Sequence, residues 1–535
     1  MELWRKRLAA IFAAIIVVFL SVSFILNLAL MEGPLELFEK DDTTLSDFVK
    51  SVQDTYKADV EYKDSYVNIN GLFASLTGRN SYNGVGKLEN GMLTHESIAK
   101  QDMSKYAAGI IEFAEFLEGA GIEYTYIQCP NKTDVNNELL RPGQVNYSNE
   151  NADSMLSLLE KAGVDTVDFR TNFSRNAELV ERYFYNTDHH WNTDAAFVAY
   201  NEIVKMLKER FPEAQFDERA LDISSWNRTV YEDWFLGSHG RRVGKYYGGL
   251  DDLVILTPDF ETDMCMTVPR NKLFYKGSFE EVIIREEFLD EPEYFDESPY
   301  CAYIGADYQI VHHINYNAKN DLKVLIIKDS FALAPQAFLS TQIRELEVID
   351  PRYYTDTSLA EYVAATSPDM VITMVHPSSL FSGKISYSDT GANTAAVHLG
   401  ENVKNLLGTL DSLEVTAPDT NSFKSGILTN YIADDGAYVL KGGAKYTVSI
   451  ADAELVKGDC EGFTVALFDH ASNSVISFYA FDFDNRNENG CYEWTFITPE
   501  GDSSRLKLLV YAGLHGSTAG NTLRFTDLTL SRWTE

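Results

Sequence analysis

Asp188-His189-His190-Trp191 sets a carboxylate two residues before an imidazole. In an extended segment the side chains at i and i+2 share a side, so Asp188 can fix the tautomer of His190 while the other ring nitrogen faces a nucleophile. The same alternation turns His189 away and leaves it a structural residue. Ser330 is the candidate nucleophile. It follows the apolar run 323–327 and Lys328-Asp329, and it opens an apolar helical stretch. Reactive groups of α/β folds sit where strands end and helices begin, and free N–H groups there favour an oxyanion. Hydroxyl, imidazole and carboxylate together are the parts of a serine acyl-transfer site. Two other readings stand beside it: Ser330 as a helix cap with Asp329 as a turn residue, or Asp-His-His as ligands of a divalent cation. The cation reading needs further aspartates on earlier strands, and a suitably spaced Asp-x-Asp is missing upstream.

These residues need a scaffold, and the chain supplies an alternating α/β pattern. A helix over 96–119 leads to a strand over 124–129, and a helix over 151–162 leads to a strand over 164–169. A further helix over 175–182 precedes Asp188. Residues 193–210 read as an amphipathic helix with Ala196, Val198, Ala199, Ile203 and Leu207 on its apolar side. The pattern returns with strands over 323–327, 345–349 and 370–375 and a helix over 358–365, which predicts a parallel sheet covered on both faces. Residues 211–321 interrupt it. They are aromatic, glycine-punctuated and strand-like, and are expected to form an insertion over the active face. Arg352 and Tyr353 follow a strand and are expected at the same edge as Ser330, where they would contact substrate.

The chain has 535 residues, too many for one core, and its formal charge of -35 repels nucleic-acid phosphates and anionic headgroups. Arg5-Lys6-Arg7 precede a charge-free run over 8–31, about 24 residues, enough to cross roughly 30 Å of hydrocarbon. That arrangement predicts a signal anchor over 1–33 with the body on the extracytoplasmic side; cleavage and secretion is the rival reading. An acidic stalk or entry segment spans 34–68, an α/β domain 69–400, and an all-β domain 413–535. The last alternates short strands with Gly, Asn and Asp turns, the pattern of a sandwich. Its aromatic residues suit the apolar faces of sugars and suit core packing equally. Five cysteines show no metal-ligand spacing, and Cys460 and Cys491 either pair or stay free.

Asp188-His-His-Trp191 before a helix, Ile327-Lys-Asp-Ser-Phe331 after a buried strand, and Ile349-Asp-Pro-Arg-Tyr-Tyr354 occur here in that order. Together with the 86–93 turn and Asn131-Lys132-Thr-Asp134, they make the chain resemble the DHHW proteins of the SGNH-hydrolase-like superfamily. These are relatives of the periplasmic alginate O-acetyltransferases. The resemblance spans roughly 69–378 and implies a three-layer SGNH-hydrolase-like domain with a parallel sheet there, while the strand-and-turn pattern beyond it is expected to form a jelly-roll or carbohydrate-binding-like β-sandwich. It makes Ser330 the nucleophile, His190 the base and Asp188 its orienting carboxylate, with no cofactor and no metal. It implies a polysaccharide acceptor and, as acetyl donor, a polytopic membrane O-acyltransferase. An acetyl-esterase with the same triad, or a non-catalytic glycan-binding or scaffold protein of an envelope assembly, are the other functions it allows. Two departures stand out. Where the family has a Gly-Gly-Asn-like turn, this chain has Gly305-Ala306-Asp307, which leaves the Gly305 N–H as the expected oxyanion donor beside that of Ser330. Lys328 stands where many relatives have glycine.

Overall fold

The computed structural model describes residues 62–354 apart from position 272, residues 358–379 apart from position 377, and most of 402–534. Nearly all of 1–61, the stretch 380–401 and the loops 418–425, 432–439, 499–504 and 515–519 lie outside the described residues. The expected membrane helix over 8–31 and most of the stalk therefore fall outside them. Among the described residues no helix is long and apolar enough to cross a membrane.

Eight strands build the central sheet: β1 (Glu123–Gln128), β2 (Thr166–Asp168), β3 (Met264–Val268), β4 (Leu273–Gly277), β5 (Ile310–Asn315), β6 (Lys323–Lys328), β7 (Glu345–Ile349) and β8 (Met370–Val375). Their spatial order is β4-β3-β5-β7-β6-β8-β1-β2. The five from β7 to β2 run parallel, as the α/β pattern predicts. The other three are antiparallel, so the sheet is mixed rather than wholly parallel. This corrects in part the reading of 211–321 as an insertion folded over the active face. Its aromatic and β-branched runs pair with the open edge of β7 and extend the sheet, which satisfies backbone groups that β7 would otherwise expose.

Alternation within a strand feeds two cores. In β6, Val324 and Ile326 point into one cluster and Leu325 and Ile327 into the other. The first cluster holds α3 (Thr193–Arg210) and α4 (Leu333–Leu339); the second holds α1 (Ser104–Gly119), α2 (Ser148–Lys161) and α5 (Leu359–Thr366). That is the expected three-layer arrangement. Helix α3 begins where the Asn192 side chain accepts the Ala195 N–H, carries Asp194 in its first turn and ends on Lys208 and Arg210. It buries Ala195, Ala196, Ala199, Tyr200, Ile203, Val204 and Leu207 against α4.

Among the described residues, the C-terminal part forms two antiparallel sheets, one of five and one of four strands, around their own core, as the sandwich reading expects. Cys460 and Cys491 are both free thiols. The sandwich meets the α/β domain through the Lys276–Asp482 ion pair and the His312–Tyr479 ring contact. A cleft between the domains is lined by Lys323, Glu345, Trp494 and Trp533, so it lies at the end of β6 opposite Ser330. The intervening strand separates them by about 17 Å.

Phe338 on α4 meets the rings of Phe197, Tyr200, Trp226 and Tyr303 and is fully buried. Phe338→Ala is expected to destabilise the α/β domain by roughly 3–5 kcal/mol, lowering the midpoint of that domain's transition in scanning calorimetry.

Candidate active site

Ser330 emerges directly from the end of β6. The buried Asp329 before it is a structural hinge-pin, as its turn reading expects. Its Oδ1 accepts the Phe331 N–H (3.0 Å), and its Oδ2 accepts the His376 N–H (2.7 Å) and the Ser379 hydroxyl (2.5 Å). The carboxylate thereby ties the end of β6 to the end of β8. The Ser330 N–H has no hydrogen-bond acceptor among the described residues, so it is available to a ligand.

His190 arrives from a reversing loop closed by an antiparallel bridge between Phe184 and Trp191. Its Nδ1 lies 2.6 Å from Asp188 Oδ1, and its Nε2 lies 2.6 Å from Ser330 Oγ. Asp188 also accepts the His190 N–H at 2.9 Å and the Ser238 N–H at 2.5 Å. An ionised carboxylate only accepts, so Nδ1 carries the ring proton and Nε2 is left to take one from the serine. Burial alone would raise the Asp188 pKa. The adjoining imidazoles and the hydrogen bonds from His190 and Ser238 instead hold it well below the usual carboxylate range. The Trp191 indole N–H donates to the Phe331 carbonyl at 2.9 Å, a direct strut between the two motif segments.

Three groups that the motif does not contain fix this loop. The Asp251 carboxylate accepts the Asn186 N–H (2.5 Å), the Thr187 N–H (2.7 Å) and the Thr187 hydroxyl (2.6 Å). The fully buried Lys132 ammonium donates to the carbonyls of Leu93 (2.8 Å), Asn186 (3.0 Å) and Asp188. Burial lowers its pKa to about 8. Gly237 packs so closely that a Cβ there would come within 2.3 Å of the Asp188 Cβ.

His189 corrects the alternation argument. Residues 186–190 form bends rather than an extended strand, so the His189 ring lies against that of His190, tilted by 39° with centroids 3.8 Å apart. Its Nδ1 lies 2.8 Å from Ser238 Oγ. The donor atoms of Asp188, His189 and His190 sit within 4.8 Å of one another. Each is already engaged in a protein hydrogen bond, which a cation would have to displace. On its other face His190 meets the Tyr300 ring, nearly parallel at 11° with centroids 4.1 Å apart. The Tyr300 hydroxyl donates to the Ser330 carbonyl at 3.0 Å.

A cavity of 210 Å³ opens over Ser330 between His189, Phe331, Arg352, His376, Ser378 and Ser379. Arg352 is thus where the sequence puts it, beside the serine. Tyr353 is not: it is 49% exposed, outside the cavity lining, with the guanidinium 5.4 Å above its ring. Gly305 is also corrected. Its N–H donates to the Cys301 (3.0 Å) and Tyr303 (2.9 Å) carbonyls, closing a turn at φ 110°, and is not offered as an oxyanion donor. Asp307 in the same turn pairs with Lys328 and, at 2.8 Å, with Arg352, which also forks onto Asp350. Burial would raise the Asp307 pKa, but the two cations hold it below the ordinary range, so it can only accept. Lys328 is buried in this network and does not reach solvent. His376, missed in the sequence, stacks on Phe331 at 5.0 Å, and burial pushes its pKa down to about 3, which keeps it neutral.

The mixed α/β sheet with a serine at a strand end and an Asp-x-His loop beside it defines an SGNH hydrolase-like domain. Residues 88–228 match the family model described as the SGNH hydrolase-like domain of acetyltransferase AlgX. Over those residues the chain is similar to a domain of the AlgX acetyltransferase type, in line with its resemblance to the DHHW proteins. Among solved structures, PatB1 of Bacillus cereus with a sulfonyl adduct is similar at 21% identity, over 55% of this chain and 95% of that one, with a TM-score of 0.47. A DHHW family protein from Eubacterium siraeum is similar at 20% identity, over 58% and 96%, with a TM-score of 0.42. AlgX of Pseudomonas aeruginosa is similar at 12% identity, over 88% and 98%, with a TM-score of 0.33. No curated protein sequence matches the chain.

Two outcomes follow for the loop. Gly237→Ala must push Asp188 aside, and an ångström of misplacement at such a site costs on the order of 10²-fold; the rate at which a sulfonyl fluoride labels Ser330, followed by mass spectrometry, is expected to fall accordingly. The folded-state pKa of Asp188 is depressed, so its contribution to stability is complete above its ordinary value of 3.8 and is lost as pH falls through the folded value. The difference in melting temperature between wild type and Asp188→Asn is therefore expected to be constant from about pH 7 to 5 and to narrow below about pH 4.

Proposed function

We propose that the protein is a membrane-anchored, extracytoplasmic O-acetyltransferase that esterifies a cell-envelope or secreted polysaccharide through a Ser330-His190-Asp188 triad. The observation that carries the proposal is the continuous hydrogen-bonded chain from Asp188 through His190 to the Ser330 hydroxyl. The charge-free run over 8–31 behind Arg5-Lys6-Arg7 supports the anchor and the orientation. The match of 88–228 to an acetyltransferase domain supports the reaction class.

In the first half-reaction Ser330 Oγ attacks the carbonyl carbon of an acetyl ester as His190 Nε2 takes its proton. The free Ser330 N–H donates to the developing oxyanion. When the tetrahedral species collapses, the carbon–oxygen bond to the leaving alcohol breaks and His190 returns the proton to that oxygen. An acetyl ester on Ser330 remains. A sugar hydroxyl then repeats the sequence: it loses its proton to Nε2, attacks the acetyl carbon and carries the acetyl group away, while Ser330 recovers its proton. Asp188 stays ionised throughout and steadies the imidazolium at each step. Arg352, held by Asp307 and Asp350 at the cavity wall, is placed to meet an acceptor oxygen. The acetyl donor in the cell is a polytopic membrane O-acyltransferase, in keeping with the anchored body. Water in place of the sugar would make the same machinery an acetyl-esterase, so acceptor binding decides between the two.

The test uses the full-length chain with 4-nitrophenyl acetate as donor and a panel of neutral and acidic oligosaccharides. Wild type is expected to release nitrophenol and add 42-dalton units to an oligosaccharide, roughly the mass of an acetyl group replacing a hydrogen. Ser330→Ala is expected to abolish both. Release of nitrophenol with acetate as the sole product identifies an esterase; equal activity in wild type and Ser330→Ala rejects the triad.

A further inference from the structure

Nothing in the triad explains why the His190 ring is gripped on both faces. His189 covers one side at 3.8 Å and Tyr300 the other at 4.1 Å, the latter nearly parallel to it. Tyr300 lies in the short helical turn Pro299–Ala302, 110 positions along the chain from His190 and 30 before Ser330. It is buried, and its hydroxyl donates to the Ser330 carbonyl at 3.0 Å with a longer contact to the Phe331 carbonyl at 3.5 Å. Its ring also meets that of Tyr185 edge-on at 6.4 Å, which limits its own rotation. One side chain therefore touches the base through its face and the nucleophile's backbone through its hydroxyl.

We infer that Tyr300 is a positioning residue for the serine reaction: its ring face holds the His190 imidazole in line with Ser330 and stabilises the imidazolium formed when the serine proton is taken. The inference rests on the catalytic reading of Ser330 given above. A neutral imidazole gains little from a parallel phenol ring beyond packing. A cationic one is attracted to the negative face of that ring, most strongly where water is excluded. The benefit thus grows as the proton moves from Ser330 Oγ to Nε2, which makes it a transition-state effect rather than a ground-state one. The hydroxyl has a separate task. By bonding to the Ser330 carbonyl it fixes the distance between the clamp and the backbone that carries the nucleophile, so the ring and Oγ keep their 2.6 Å separation together. Packing alone would ask only for bulk at this position. The two roles ask for an aromatic ring first and a hydroxyl second.

Three variants of the full-length chain separate these roles: Tyr300→Phe, Tyr300→Leu and Ser330→Ala, assayed with 4-nitrophenyl acetate and a sulfonyl fluoride across pH, with melting temperatures recorded. Tyr300→Leu is expected to lower kcat by roughly tenfold or more with KM little changed, and to slow Ser330 labelling in parallel. The acid limb of its kcat/KM profile is expected to move to lower pH, because the cationic form of the base has lost its aromatic partner. Tyr300→Phe keeps the ring and is expected to keep the acid limb of wild type while losing a smaller part of kcat. An acid limb that shifts equally in the two variants, or wild-type kcat in Tyr300→Leu, overturns the inference. The Phe variant preserves size and apolar character, so that comparison stands even where Tyr300→Leu melts early. Should wild type and Ser330→Ala behave alike, the catalytic reading itself fails, an outcome distinct from any Tyr300 result.

Discussion

A carboxylate sealed from water has to be satisfied by the protein, and Asp188 is the group around which this domain is arranged. It is 2% exposed and ionised, and both of its oxygens are taken, one by the base and one by the Ser238 N–H. Such a group persists only where every neighbour is fixed, since a buried charge without its hydrogen bonds costs several kcal/mol. The Asp251 carboxylate, the Lys132 ammonium and the bare backbone of Gly237 hold the loop on separate sides. Lys132 lies more than a hundred positions along the chain from Gly237 and Asp251. The sheet and its two covering layers serve to bring them to one point.

Beside this sits a second buried ionic cluster of the opposite logic. Lys328 and Arg352 share Asp307 and Asp350, so two cations face two anions under the floor of the cavity. The pairs neutralise one another and leave Arg352 oriented toward the opening. The turn expected to supply an oxyanion donor here supplies a carboxylate acceptor, and its charge is spent inward on lysine and arginine. The Gly305 N–H is consumed in the same turn. An oxyanion at Ser330 would therefore depend on the serine's own N–H.

Much of the scaffold was legible because buried parallel strands announce themselves: Val324–Ile327 and Met370–Val375 are largely apolar runs with no competing period, and Thr193–Arg210 carries cap, charge gradient and stripe together. The hydrogen-bonded meeting of Asp188, His190 and Ser330 was legible for a local reason, since Asp188 and His190 lie two apart and Ser330 follows its strand at once. What escaped depends on contacts that one sequence does not encode at short range. Tyr300, His376, Asp251 and Gly237 have ordinary local surroundings and meet His190, Ser330 or the Asp188 loop only after folding. His189 was misread because the alternation rule assumes an extended backbone, and the loop bends instead. The stretch 211–321 was misread as lying wholly over the active face. Gly237, Ser238 and Tyr300 do lie there, whereas Met264–Val268, Leu273–Gly277 and Ile310–Asn315 join the sheet. An aromatic, turn-rich segment leaves both placements open until its pairing partner is known.

The grip on His190 also sets an order of events. Covered on both faces and tethered at Nδ1, the ring has a single atom, Nε2, open to traffic, and it cannot swing to serve a second station. Any molecule that receives a proton from it and any molecule that surrenders one must stand in the same place. Two guests cannot stand there together. In the proposed transfer a departing alcohol would have to vacate before the next hydroxyl enters, a turnstile: one out, then one in, through a shared doorway.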